Sequence, residues 1–352
     1  MTMSTAWIEV RAGERARRHI AQQGLVPADI ACIPAAAGGP KGLMLLPLDR
    51  LLFAEWLPSA GRLEFVGASI GAWRMAALAQ ADPLAAVDRL QHAYVHEQNY
   101  RESPTPKQVA AVCRGLARSV LANEGLHIRA GAALSILTAR AQGELQSRGR
   151  AAFARVALAN AAGRRHLASH LRRVVFAAGE ASQFSTPFDA FGLERIALSA
   201  ANAEDALLAS GSIPLVCDPV SDIAGAPTGD YWDGGLIDYH LLLPYAEFER
   251  LVLYPHFVPW VTPGWLDKYL PWRARPRGHD WLSNVLLIAP SRAMLDRLPN
   301  RKLPDRNDFY RYGTDHAARI QVWERAIAEA QRFADAAMAW LQSPDPSIVR
   351  AL

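Results

Sequence analysis

The chain has 352 residues, 51% hydrophobic and 20% charged, proportions of an ordinary globular protein with room for one large domain or two smaller ones. A formal charge of +4 on 38 basic and 34 acidic side chains is mild and does not indicate a nucleic-acid binder. No uninterrupted apolar run is long enough to span a bilayer, because the best stretch, Leu43 to Leu57, is broken by Pro47, Asp49, Arg50 and Glu55.

The N-terminus up to Arg18 mixes acidic and basic residues and lacks an apolar signal core, so export is not expected. From about residue 28 to 100 strand-like and helix-like segments alternate, the pattern of βαβ units in a largely parallel sheet. Ile30 to Ile33 reads as a buried strand and Leu43 to Trp56 as a helix. Leu63 to Val66 is a second strand, and Ala72 to Gln80 opens two helices separated at Asp82-Pro83. A helix is expected over 104–125, entered through Ser103-Pro104-Thr105-Pro106, with strands at Ala133 to Thr138 and Arg173 to Ala177. Glu204 to Ala209 is helical before Gly211 and Pro214 break the chain. Late strands are expected at Leu251 to Tyr254 and Val285 to Ile288. Apolar residues at helical spacing (Ile320, Trp323, Ile327, Ala330, Phe333) predict a long helix over Thr314 to Leu341. Cys32, Cys113 and Cys217 are widely spaced, with no CxxC or Cys/His cluster. They read as small buried hydrophobes in a reducing cytoplasm rather than a disulfide framework or zinc site.

Chemistry concentrates in three short pieces. Gly67-Ala68-Ser69-Ile70-Gly71 lies between a strand and a helix, the context in which G-x-S-x-G becomes a nucleophile elbow. Ala36-Ala37-Gly38-Gly39-Pro40-Lys41-Gly42 follows the first predicted strand, and backbone N–H groups at such a turn are preorganised donors for an oxyanion. Pro40 has no N–H, so donation falls to Gly38, Gly39 or Lys41. A phosphate loop is excluded because Gly42 stands where Ser or Thr would meet magnesium. Tyr231-Trp232-Asp233-Gly234-Gly235 places an aspartate where it can face a serine across a sheet, although Asp-Gly-Gly is also ordinary turn chemistry.

In this order and spacing the pieces resemble the patatin-like phospholipases. A fourth block, Ala209-Ser210-Gly211-Ser212-Ile213-Pro214 through Asp218-Pro219-Val220, is similar to the segment preceding that family's catalytic aspartate. The resemblance covers about residues 28–245. It implies a three-layer α/β/α domain with a mainly parallel central sheet, and leaves residues 246–352 as a helical C-terminal extension packed on it. It further implies a Ser–Asp dyad without histidine, with Ser69 as nucleophile and Asp233 as base. Gly38, Gly39, Lys41 and Gly42 fall on the oxyanion loop, Gly67 and Gly71 on the elbow, and Gly234 and Gly235 on the dyad turn. The implied activity is hydrolysis of lipid or small esters through an acyl-enzyme, with no metal or organic cofactor. The chain departs from the pattern at Ala36 and Ala37, which replace an aspartate and the first glycine. After the Asp-Gly-Gly, where an asparagine and a proline are usual nearby, Asp238, Tyr239, His240 and Pro244 stand.

Two other readings stay open: a Ser-His-Asp α/β-hydrolase using His240, His256, His279 or His316, and a catalytically silent protein of the same fold that binds lipid or a partner. Lys41 is expected to pair with an acidic neighbour rather than steady an anionic headgroup. Residues 256–281 carry Phe257, Trp260, Trp265, Tyr269, Trp272 and Trp281 among Arg273, Arg275 and Arg277, a composition that suits either a cover over the core or a peripheral membrane contact. Within it Leu266, Tyr269 and Leu270 can form one face of a short lid helix.

Overall fold

The computed structural model describes residues 3–122, 125–179, 184, 186–276 and 278–352. Its framework is an 11-stranded sheet. The strands are β1 (Ile8–Ala12), β2 (Ile30–Ala35), β3 (Leu63–Ala68), β4 (Ala132–Ala141), β5 (Leu171–Ala178), β6 (Glu194–Ala197), β7 (Val220–Ser221), β8 (Asp230–Asp233), β9 (Leu251–Pro255), β10 (Val285–Pro290) and β11 (Arg350–Ala351). They lie in the order β11-β1-β10-β9-β2-β3-β4-β5-β6, with β8 on β4 and β7 on β8. The centre, β10-β9-β2-β3-β4, is parallel throughout. Antiparallel pairing occurs between β1 and β10, β4 and β5, β4 and β8, and β7 and β8. The molecule is thus α/β with a mostly parallel central sheet and helices.

Every residue of β3, β9 and β10 is buried, as expected of parallel strands covered on both faces, and this explains their apolar sequences, interrupted only by Glu64 in β3. β1 instead alternates buried and half-buried residues, with Glu9 and Arg11 paired at 2.6 Å on its outer face. Its five residues carry too short a pattern to stand out in sequence, so three strands precede Ser69 where the sequence suggests two. Residues 246–352 supply β9, inserted between β2 and β10, and so belong to the sheet itself as well as providing the helix His316–Gln342.

Helix starts follow their capping chemistry. Asp82 accepts the Ala85 N–H ahead of Pro83–His96, and Thr105 and Gln108 form a reciprocal capping box ahead of Pro106–Val120. The segment expected as one helix over Leu43 to Trp56 divides into a 3-10 turn (Gly39–Leu45), an α-helix (Leu46–Leu51) and a π turn (Leu52–Trp56). Pro47 sits at the α-helix's start, where its missing N–H is harmless. Among the described residues no helix is long and apolar enough to cross a membrane.

Candidate active site

The meeting of Ser69 and Asp233 follows from the unequal lengths of β3 and β4. On one edge of the ten-residue β4, β3 pairs up to Ala68 opposite Leu137, and β8, running the other way, continues with Asp233 opposite Thr138. The two strands end head to head at adjacent positions of β4. Ser69 follows the last residue of one, and Asp233 is the last residue of the other. The Ser69 hydroxyl donates a 2.7 Å hydrogen bond to Asp233 Oδ2.

Ser69 adopts φ 56° and ψ −132°, a strained conformation for a residue with a side chain, between β3 and the helix Ile70–Leu78. Two glycines make this turn possible. A Cβ on Gly67 would lie 2.5 Å from Ala72 backbone, and one on Gly71 would lie 1.9 Å from the Ala35 carbonyl oxygen. The Ser69 N–H donates to Ser210 Oγ at 2.9 Å, and Ser210 in turn donates to the Leu137 carbonyl at 2.7 Å. The strained turn is therefore tied to β4 by a side chain from the helix Ala203–Gly211.

Asp233 is held just as closely. Its N–H donates to the Ser212 carbonyl at 2.8 Å, and its Oδ1 accepts the Gly235 N–H at 2.7 Å. A Cβ on Gly234 would meet the Leu137 carbonyl oxygen at 2.2 Å, so only glycine lets the turn after Asp233 sit against β4. Burial raises the Asp233 carboxyl from 3.8 to about 6, while the nearby Arg306 guanidinium and the Ser69 hydrogen bond act in the opposite direction. A carboxylate of that basicity accepts a serine proton more readily than an exposed one.

The loop after β2 is anchored by the Ala37 N–H on the Tyr239 carbonyl at 2.8 Å. The next two N–H groups, on Gly38 and Gly39, are given to no other group among the described residues. Gly39 has φ 56°, and a Cβ on Gly38 would strike the Phe257 ring at 2.7 Å. Gly42 is closed in the same way, with Ile70 2.8 Å from where its Cβ would be. Gly38, Asp233, Gly235 and Arg306 line one small hollow. The loop therefore keeps two free donors beside Asp233 although Ala36 and Ala37 stand where the patatin-like pattern has aspartate and glycine.

Among the described residues Lys41 does not pair with an acidic neighbour. Its ammonium lies 5.3 Å from the Phe257 ring centroid, and burial lowers its pKa. Asp305, the acid that acts on it most strongly, is engaged with Lys302 at 3.1 Å. Asp238 is likewise committed elsewhere, to a bidentate pair with buried Arg173 at 2.7 and 2.9 Å.

No histidine is hydrogen-bonded to Ser69 or Asp233 among the described residues. His240 and His256 are buried with ring centroids 4.5 Å apart, and burial pushes both pKa values down, His256 to about 3. The Nδ1 of each accepts a backbone N–H, from Thr262 and Val258 respectively. His279 Nδ1 accepts the Trp281 N–H, and His316 borders the cavity described next.

Ser69 opens onto a cavity of about 460 Å³, within the range of small-molecule sites. Its walls are largely apolar, from Ile70, Trp73, Val109, Ile213, Leu215 and Phe309. Cys113 and Cys217 both line it. A second cavity of about 480 Å³, beside Arg62, Arg129 and Gly179, shares no wall residue with it. At the mouth Leu215, Val216 and Tyr310 are exposed, Tyr310 at 81%. In the aromatic segment Phe257 is buried, Trp260, Trp265 and Trp281 are half-buried, and Tyr269 and Trp272 are exposed. Leu266–Tyr269 is a single 3-10 turn, with Leu270 just beyond it. Arg277 lies outside the described residues.

Ser210 and Arg306 escape sequence reasoning. Ser210 has a signal, its place in the Ala-Ser-Gly block, whereas Arg306 comes from a turn with no motif around it. No protein-family model matches the chain, and no curated protein matches it.

Proposed function

We propose that the chain is a serine hydrolase of lipid-like or small carboxylic esters, working through a Ser69 acyl-enzyme with Asp233 as its base. The observation that carries this reading is the 2.7 Å hydrogen bond from Ser69, held on a strained elbow, to a buried carboxylate of raised basicity. The mostly parallel sheet is compatible with the three-layer architecture that the resemblance to patatin-like phospholipases implies.

In the first half-reaction the Ser69 proton passes to Asp233 Oδ2 as Oγ bonds to the ester carbonyl carbon. The charge that develops on the carbonyl oxygen is met by the free N–H groups of Gly38 and Gly39. The Ile70 N–H, at the first position of its helix, has no intrahelical acceptor and is available to the same oxygen. Collapse breaks the carbon–alkoxide bond, and Asp233 returns the proton to the departing alcohol. Asp233 then deprotonates a water that attacks the acyl-serine, and reprotonates Ser69 Oγ as the acid leaves. The apolar cavity beside Ser69 suits an acyl chain.

The test is hydrolysis of p-nitrophenyl esters and phospholipids by the unmodified protein, Ser69→Ala and Asp233→Asn, with fluorophosphonate labelling of Ser69. Activity and labelling lost in Ser69→Ala, with activity lost in Asp233→Asn, support the dyad. Full activity in Asp233→Asn refutes it. Absence of labelling in folded protein points instead to a silent binding protein.

A further inference from the structure

Arg306 stands where the apolar cavity meets the hollow beside Gly38 and Asp233, lining both. Its Nε lies 3.5 Å from where a Cβ on Gly39 would be. Its guanidinium has no hydrogen bond or ion pair among the described residues. The acids around it are already engaged: Asp305 holds Lys302 and the Asn307 N–H, and Asp308 holds Lys302 and the Trp323 indole. Asp233 uses its two oxygens on Ser69 and Gly235. Arg101 and Glu102, both exposed, also border the cavity and carry opposite charges.

Two more cations lie on the same side. Lys41 rests over Phe257, whose ring packs against Gly38. Lys268 is 4.6 Å from the Trp265 ring centroid and 5.7 Å from that of Tyr239, and both rings border the hollow. Neither ammonium is in an ion pair among the described residues. Burial lowers the Lys268 pKa to about 8, and Lys41 and Arg306 push it the same way, so the three charges repel one another. Cations set against rings and glycine, beside carboxylates whose oxygens are already engaged, favour an anion brought in by a ligand.

We infer that Arg306, supported by Lys268 and Lys41, binds an oxyanion group, phosphate or carboxylate, on the alcohol side of the substrate, so that the preferred ester is anionic close to the scissile bond. The acyl chain fills the apolar cavity, the carbonyl lies between Ser69 and the Gly38–Gly39 turn, and the alcohol portion reaches Arg306. This rests on the ester-hydrolase reading of the site, yet it can be tested without turnover.

The experiment is calorimetric titration of the Ser69→Ala protein with hexanoylglycerol 3-phosphate, hexanoyl lactate and neutral hexanoylglycerol. It is done at about pH 7, where Asp233 is largely ionised and Lys268 still largely protonated. A charge-assisted contact predicts that at least one anionic ester binds about tenfold or more tightly than the neutral one, and which one does so identifies the anion. Adding Arg306→Gln should bring the ratio close to one. In the Ser69→Ala protein itself, raising NaCl from about 0.05 to about 0.5 M should weaken only the anionic ester, a readout that does not depend on the arginine variant folding. Equal affinities for all three esters, or a ratio that survives Arg306→Gln in folded protein, overturns the inference. Failure of the unmodified protein to hydrolyse any ester would refute the hydrolase reading and leave the binding ratio meaningful.

Discussion

Replacing Asp233 with Asn should abolish catalysis and stabilise the fold, and the two effects share one cause. Burial holds the Asp233 carboxyl at about 6 rather than 3.8. At about 1.4 kcal/mol per tenfold change in proton affinity, keeping it ionised costs the native state about 3 kcal/mol. The folded chain binds this proton more tightly than the unfolded chain. The penalty is therefore absent below about pH 4, grows as pH rises between about 4 and 6, and is complete above that. Asparagine carries no charge to bury. Its amide oxygen can still accept the Gly235 N–H, and its amide nitrogen can donate to Ser69 Oγ. With an unfolding entropy of about 2.1 cal/mol/K per residue over 352 residues, about 3 kcal/mol corresponds to a rise in Tm of about 4 °C. Scanning calorimetry of both proteins should show that rise at about pH 8 and little difference at about pH 4, while hydrolysis at about pH 8 falls by about 10² to 10⁴. A Tm difference that is the same at both pH values, or a less stable variant at about pH 8, would refute the argument that burial tunes this carboxylate.

The other predictions test the surroundings of the dyad. The acidic limb of kcat/KM against pH should have its midpoint at about 6, and Arg306→Gln should move it upward because a charge that favours the carboxylate is gone; a downward shift would contradict that. Asp49→Ala should destabilise the fold by about 3–5 kcal/mol in urea titration, because it strands the buried Arg74 guanidinium that now donates to Asp49 at 2.7 and 2.8 Å. A loss below about 1 kcal/mol would mean water reaches the elbow helix. Leu215→Asp, at the exposed cavity mouth, should lower turnover of micellar esters more than that of a soluble short-chain ester, whereas equal effects would remove the mouth as a lipid-facing surface.

Much of the site is legible in sequence because its local parts have local causes. The elbow and the dyad turn need glycine where backbone passes backbone, so Gly67, Gly71 and Gly234 mark the turns around Ser69 and Asp233. Apolar runs mark β2, β9 and β10, and β3 apart from Glu64, because parallel strands are buried on both faces. The expected pairing of Lys41 fails for a non-local reason: Asp305, the acid that acts on it, is claimed by Lys302, and the Phe257 ring takes the ammonium instead.

The order of the motifs, the glycines and the identities of the candidate nucleophile and base belong to the sequence alone, since each depends on residue type and near neighbours. That Ser69 and Asp233 touch was decided only by the sheet, where β3 and β8 end head to head along the longer β4. The basicity of Asp233 is equally a property of the folded state, because it arises from exclusion of water by chain segments far apart in sequence. Arg306 reaches the same place from beyond β10, carried there by packing that no spacing of residues records.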